Sequence, residues 1–192
     1  ELANIYSENL KTDLALQYYE KVLELDQRKN TKIIICINIG LTFYRAGKID
    51  EAIIKYNESL KINSKIPNTF LNLGLCYQHK RDYKLAKEYF LKAIELDPKF
   101  FYAYSSLGNT HLDLGECDKA IFYLKKALEL DNSHSLSWMF LGKAYLMSRQ
   151  HLLSLEASKK SFTIDPKNLS AVSNYLYSLN YLDLSDYEIY QE

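Results

Sequence analysis

Residues 67–98, PNTFLNLGLCYQHKRDYKLAKEYFLKAIELDP, decide the fold. Phe70, Leu73, Gly74 and Tyr77 recur at spacings of three and four, which places them on one face of a helix. A polar break, His79-Lys80-Arg81-Asp82, follows. Tyr83, Ala86, Phe90, Ala93, Ile94 and Leu96 then mark a second amphipathic helix, and Pro98 stops it, having no N–H to give and a ring that clashes with the preceding turn. Two helices of this size cannot cover their own apolar faces, so neighbouring helix pairs must do so.

Those neighbours are legible. A 34-residue step from Gly74 reaches Gly108 and Gly142 in one direction and Gly40 in the other. The same step aligns Leu73 with Ile39, Leu107 and Leu141; Tyr77 with Phe43, His111 and Tyr145; and Ala86 with Ala52, Ala120 and Ser154. Pro98 falls in register with Ser64, Asn132 and Pro166. A small/aromatic/small pattern at this period resembles the tetratricopeptide repeat (TPR). The resemblance implies an all-α fold, a right-handed superhelical solenoid of antiparallel helix pairs, with protein or peptide binding as its function.

The expected organisation is an array over residues 1–168, followed by a degenerate capping helix and the start of a further segment over 169–192. The repeats run 1–29 (truncated), 33–66, 67–100, 101–134 and 135–168. In the first, Leu2, Ala3 and Tyr6 match Leu73, Gly74 and Tyr77, and Ala15 and Tyr19 match Ala86 and Phe90. Ala15 to Ala52 is 37 residues rather than 34, and the surplus is expected as a longer loop near Arg28–Lys32. In the second repeat, helices are expected over Ile33–Ala46 and Ile49–Asn63. The last full repeat has Ser158 where Phe90 stood and Ser161 where Ala93 stood, so weaker packing is expected there.

Four of the six glycines (Gly40, Gly74, Gly108 and Gly142) fall inside first helices, where each costs roughly 0.5–1 kcal/mol relative to alanine. A cost recurring at one position implies close approach of the second helix, with a bulky Tyr or Phe filling the groove.

Bulk properties narrow the function. Lys and Arg together number 24, as do Asp and Glu, so the net charge is zero. Surfaces that bind nucleic acid or anionic membrane need a basic excess, and neither partner is expected. No apolar run reaches membrane-spanning length and no signal peptide is visible; a chain opening inside a repeat reads as a piece of a longer protein. Cys36, Cys76 and Cys117 form no C-x-x-C pair, and buried free thiols suit a reducing, cytoplasmic or nucleocytoplasmic compartment. None of His79, His111, His134 and His151 has a metal partner at i+3 or i+4, and no nucleophile–base set or phosphate loop is arguable from spacing. No catalytic residue, cofactor or metal is expected within these residues.

Binding candidates are the side chains on first helices that the core pattern leaves free. Asn38, Asn72, Ser106, Phe140 and Asn174 recur once per repeat, each just before a core residue. A column of amides can hydrogen-bond an extended peptide backbone without reading its sequence. Beside them stand Leu41, Leu75, Asn109 and Lys143, then Arg45, Gln78 and His79. The alternative is that Asn serves interhelix packing. The chaperone-binding TPR type grips a terminal carboxylate with Lys and Asn; this chain offers Ile37 and Leu41, or Leu71 and Leu75, which argues against that clamp. Leu136, Met139, Phe140, Leu146 and Met147 form a late apolar patch suited to a partner, to a homodimer or to cover by the tail. Trp138, in register with Phe70, is expected in the core.

The tail carries a second resemblance. Ser173, Asn174, Leu176, Ser178, Leu179, Asn180 and Tyr181, then Leu184, Ser185, Glu188, Ile189, Tyr190 and Glu192, are similar to the segment joining the TPR array to the catalytic region in O-GlcNAc transferase-like glycosyltransferases, including the SPINDLY type. That resemblance implies the substrate-recognition arm of a protein glycosyltransferase, with its catalytic residues beyond Glu192. It also carries over an asparagine ladder onto Asn38, Asn72 and Asn174, with Ser106 and Phe140 departing from it. The alternatives are a capping helix with a linker, opened by a Ser185/Glu188 capping box, and a non-enzymatic scaffold assembling a multiprotein complex.

Overall fold

The computed structural model describes residues 12–180. Among them every regular element is an α-helix: α1 Thr12–Leu25, α2 Lys29–Arg45, α3 Ile49–Ile62, α4 Pro67–His79, α5 Tyr83–Leu96, α6 Phe101–Asp113, α7 Cys117–Leu130, α8 Ser135–Met147, α9 His151–Ile164 and α10 Leu169–Leu179. The chain divides after Pro98 into two compact units. In the first, α1 to α5 pack in sequence and α2 lies beside α4; in the second, α6 to α10 pack in sequence, α6 lies beside α8 and α8 beside α10. The first-repeat residues Leu2, Ala3 and Tyr6, and the proposed Ser185/Glu188 box, lie outside the described residues.

The surplus residues before the second repeat do not form a longer loop. α2 begins at Lys29, four residues before the expected Ile33, and runs for 17 residues where α4, α6 and α8 run for 13. Asp26 explains the early start. Its carboxylate accepts from the Arg28 backbone N at 3.0 Å, from Arg28 Nη2 at 2.7 Å and from Thr31 Oγ1 at 2.7 Å, which closes the chain into a tight connection ahead of the helix. The Arg28 side chain, with its backbone N–H and Thr31, holds the Asp26 carboxyl well below the usual carboxylate range.

Inside each pair one tile recurs. The turn residues Gly47, Arg81, Gly115 and Arg149 stand 34 apart and all take positive φ, from 59° to 75°. The following N–H reaches back to the same carbonyl each time, as in Lys48 N to Phe43 O and Gln150 N to Tyr145 O, both at 2.9 Å. Arg81 and Arg149 hold this left-handed position against an intrinsic cost of roughly 1–2 kcal/mol, because the turn is fixed by the helices on either side.

The glycine expectation holds in its physical core and changes in its partners. A Cβ on Gly40 would lie 2.6 Å from Tyr56 Cε1, and one on Gly74 2.4 Å from Phe90 Cε1. At Gly108 the neighbour is Leu124 Cγ at 2.6 Å, and at Gly142 it is Ser158 Oγ at 2.5 Å, so no aromatic ring fills the last two crossings. The backbones lie close at both crossings: the Gly108 Cβ position is 3.3 Å from Ala120 O, and the Gly142 position is 3.3 Å from Ser158 N and 3.4 Å from Ser154 O. Serine hydroxyls stitch this pair and its neighbour together. Ser154 Oγ donates to Gly142 O at 2.9 Å and shares a hydrogen bond with Ser178 Oγ at 2.8 Å, and Ser161 Oγ donates to Ser135 O at 2.9 Å. At Ser161 these polar bonds offset the weaker apolar packing, whereas Ser158 Oγ, buried against Gly142, has no hydrogen-bond partner.

Of the three thiols only Cys76 is fully buried; Cys36 and Cys117 are half-exposed. Burial, aided by the Asp50 charge, pushes the Cys76 thiol up to about 12. Iodoacetamide at pH 8 is expected to leave Cys76 unmodified in the folded chain while Cys117 reacts; mass spectrometry showing equal rates would contradict the burial.

Candidate functional site

The binding candidates fall into two sets, one on each unit. In the first unit Asn38, Leu41 and Arg45 sit at i, i+3 and i+7 on α2, and Asn72, Leu75 and His79 repeat that spacing on the adjacent α4. Asn38, Leu41, Asn72, Leu75 and Gln78 are half-buried, and Arg45 and His79 are exposed. The residues next to them, Ile39, Gly40, Leu73, Gly74 and Cys76, are buried in the core. One edge-to-face contact joins the two helices: the Tyr44 and His79 rings stand 6.2 Å apart at 73°. Burial raises the Tyr44 hydroxyl above its ordinary value, so it stays a neutral donor at physiological pH. The surface therefore combines amide groups, an apolar strip of Leu41 and Leu75, and an exposed guanidinium, a composition that can grip a peptide backbone and an apolar side chain together.

In the second unit Ser106 and Asn109 are half-buried on α6, Phe140 is half-buried and Lys143 exposed on α8, and Asn174 is half-buried on α10. The five-position column is not uniform. Phe140 packs against the buried cluster of Leu112, Leu124, Leu141 and Tyr145, and the Asn174 Nδ2 donates to the Met139 carbonyl of α8 at 3.5 Å. Asn174 thus spends part of its amide between helices, the role weighed as the alternative to a peptide grip. The late apolar patch is partly open, with Leu136 at 42% and Met147 at 46% exposure.

His111 occupies the aromatic position of its repeat. It is buried, parallel to the Tyr123 ring at 5.3 Å, and its Nδ1 hydrogen-bonds Glu116 Oε2 at 2.7 Å, which ties the end of α6 to the start of α7. Lys119 first, then His111, holds the Glu116 carboxyl below its ordinary value. Among the described residues no three His, Cys, Asp or Glu side chains gather as a metal site, and no helix is long and apolar enough to cross a membrane. Trp138 is half-buried and packs against the buried cluster of Leu141 and Tyr145, as expected for its register, and one side of it walls a pocket between α7 and α9.

Family models for the tetratricopeptide repeat match residues 67–100, 89–122 and 1–29, and a TPR-repeat model matches 40–80; together they take in more than half of the chain. Among curated proteins, the BBSome complex member BBS4 of Bos taurus is 31% identical over 70% of this chain and 26% of its own length. The TPR repeat-containing protein MJ1428 of Methanocaldococcus jannaschii is 33% identical over 76% of the chain and 25% of its own length. The cell division cycle protein 27 homolog of Caenorhabditis elegans is 33% identical over 53% and 13%. The chain thus spans about a quarter or less of the length of these relatives. Among solved structures, the APC/C hetero-tetramer Cut9-Hcn1 superposes with a TM-score of 0.78 at 19% identity, over 92% of this chain and 35% of that one. YrrB, described as a TPR protein with an unusual peptide-binding site, gives 0.62 at 24% identity over 89% and 87%. Antiparallel helix pairs, a 34-residue tile with glycine at each helix crossing, and these matches agree, and the chain belongs to the tetratricopeptide-repeat family.

Proposed function

We propose that the chain is a protein-binding module that holds an extended segment of a partner along the exposed faces of its first helices. The observation that carries this reading is the row of half-buried amide and leucine side chains on adjacent helices, Asn38 and Leu41 on α2 and Asn72 and Leu75 on α4, left free by a core satisfied elsewhere. Ser106, Asn109, Phe140, Lys143 and Asn174 offer a second such row on the other unit, with less amide character. The zero net charge supports a protein rather than a polyanion as partner.

Two contexts each have one support. The tail residues Ser173 to Glu192 resemble the junction of O-GlcNAc transferase-like enzymes, which would make this the substrate arm of a glycosyltransferase; residues 181–192 of that motif lie outside the described residues. Relatives named as a BBSome complex member and as an anaphase-promoting complex subunit support a scaffold within a multiprotein assembly. We propose a cytoplasmic or nucleocytoplasmic location, which the free thiols Cys36, Cys76 and Cys117 support. The parent gene beyond Glu192 separates them: α/β catalytic sequence supports the transferase arm, and further repeats or a stop codon support the scaffold.

The test of binding is a measured affinity. Once a partner is captured with the purified chain and its binding segment synthesised, Asn72→Ala combined with Leu75→Asp is expected to weaken Kd at least tenfold, about 1.4 kcal/mol or more. Glu88→Ala, on the exposed face of α5, is expected to leave it within twofold. Equal affinity across the three proteins, with unchanged helicity, would refute the first-helix surface.

A further inference from the structure

One register position on the second helices carries tyrosine in α1, α5 and α7, Lys55 in α3, where Cys36 replaces one of the first-helix rings, and alanine in α9. In α4/α5 it holds Tyr89, whose ring stacks on Tyr77 at 5.3 Å and 12° and on Phe70 at 6.2 Å and 27°. In α6/α7 it holds Tyr123, stacked on His111. Helix α1 carries Tyr18 there. In α8/α9 the position is Ala157, 2% exposed. The rings on which a tyrosine would lie are nevertheless present, since Trp138 is in register with Phe70 and Tyr145 with Tyr77.

A pocket of about 410 Å³ borders that position. Ala157, Trp138, Leu141 and Tyr145 line it, with Leu128 and Lys125 of α7 on the far wall. It adjoins a second concavity of about 630 Å³ that shares Trp138, Glu156 and Lys160. The Trp138 ring is fixed, because its Nε1 donates to the Asn132 carbonyl at 2.9 Å. Lys160 Nζ lies 4.3 Å from the ring centroid. Its register counterpart Lys92 stands over both Phe70 and Tyr89, at 5.9 and 5.8 Å, so the cation that caps the filled position in α4/α5 is also in place here.

We propose that this slot binds the ring of an aromatic side chain, tyrosine above all, presented by a partner protein in the place that Tyr89 and Tyr123 fill from within. The sibling pairs show what the shape accepts: a flat ring stacked on a first-helix aromatic, capped by lysine in α4/α5. Charge points the same way. Lys125 and Lys160 face Glu129 and Glu156 around the slot, so it favours neither an anion nor a cation. This surface lies between second helices and does not depend on the first-helix rows described above.

The test uses the one tryptophan of the chain as its reporter. 4-Methylphenol, the tyrosine side chain as a free molecule, is titrated while the Trp138 indole N–H is followed by NMR. The native chain is expected to show a saturable shift, and 4-methylcyclohexanol, the saturated alcohol with the same number of heavy atoms, none. Ala157→Tyr should fill the slot from within: its thermal midpoint rises by several degrees and the apparent affinity for 4-methylphenol falls at least tenfold. Ala157→Met, which blocks the slot with an unbranched chain, provides the same comparison if the tyrosine variant folds poorly. No shift in the native chain, an equal shift with the alcohol, or an equal affinity in the folded filled variant would overturn the proposal.

Discussion

Phe90→Ala is expected to lower the unfolding free energy of the first unit by about 3–5 kcal/mol, read as a shift of the urea midpoint at constant slope. Phe90 is fully buried, and the opposite wall of its site is Gly74, whose missing Cβ would stand 2.4 Å from the ring. Removing the ring therefore leaves a void bounded on one side by bare backbone, which cannot relax inward without bending α4. The same geometry makes a rescue specific. Gly74→Leu added to Phe90→Ala places methyl groups in the vacated volume and should recover part of the loss, whereas Gly74→Leu alone adds atoms where the ring already stands. A loss under about 1 kcal/mol for the single alanine variant would mean that the pair is not held by this crossing.

Gly108→Leu is expected to destabilise the second unit by about 1–3 kcal/mol, even though leucine favours the helix over glycine by roughly 1 kcal/mol. The new Cβ would meet Leu124 Cγ at 2.6 Å and Cδ2 at 3.0 Å, and behind them the Ala120 backbone oxygen at 3.3 Å. The leucine tip can rotate away but the carbonyl cannot, so α6 and α7 are wedged apart. An unchanged melting midpoint would contradict the close-approach account of these glycines.

The pair architecture was legible because the chain repeats itself: four copies of one tile give an internal alignment, and Gly40, Gly74, Gly108 and Gly142 mark its crossings without any outside comparison. Where the tile is interrupted, legibility fell. The segment Lys29-Asn30-Thr31-Lys32 is polar enough for loop or helix alike, and the Asp26 hydrogen bonds that make it helical depend on side-chain geometry rather than residue type. Arg81 and Arg149 take a left-handed turn that their identity disfavours, because the flanking helices dictate it.

The candidate site was legible as positions more than as chemistry. Spacing places Asn38, Asn72 and Asn174 correctly on first helices. It does not reveal that the Asn174 amide reaches the Met139 carbonyl, or that Phe140 turns part of its ring to the core. The Ala157 slot was visible in principle, as an alanine in register with Tyr89 and Tyr123. Its meaning depends on the stacking of those tyrosines, which residue type alone does not fix.

The central claim, that partners lie on the first-helix faces, is tested most directly by site-specific photocross-linking. A photoreactive side chain at position 75, on α4, is expected to capture the partner, and one at position 88, on the exposed face of α5, is expected to capture little or none. Equal yields at the two positions, or capture from position 88 alone, would contradict the account.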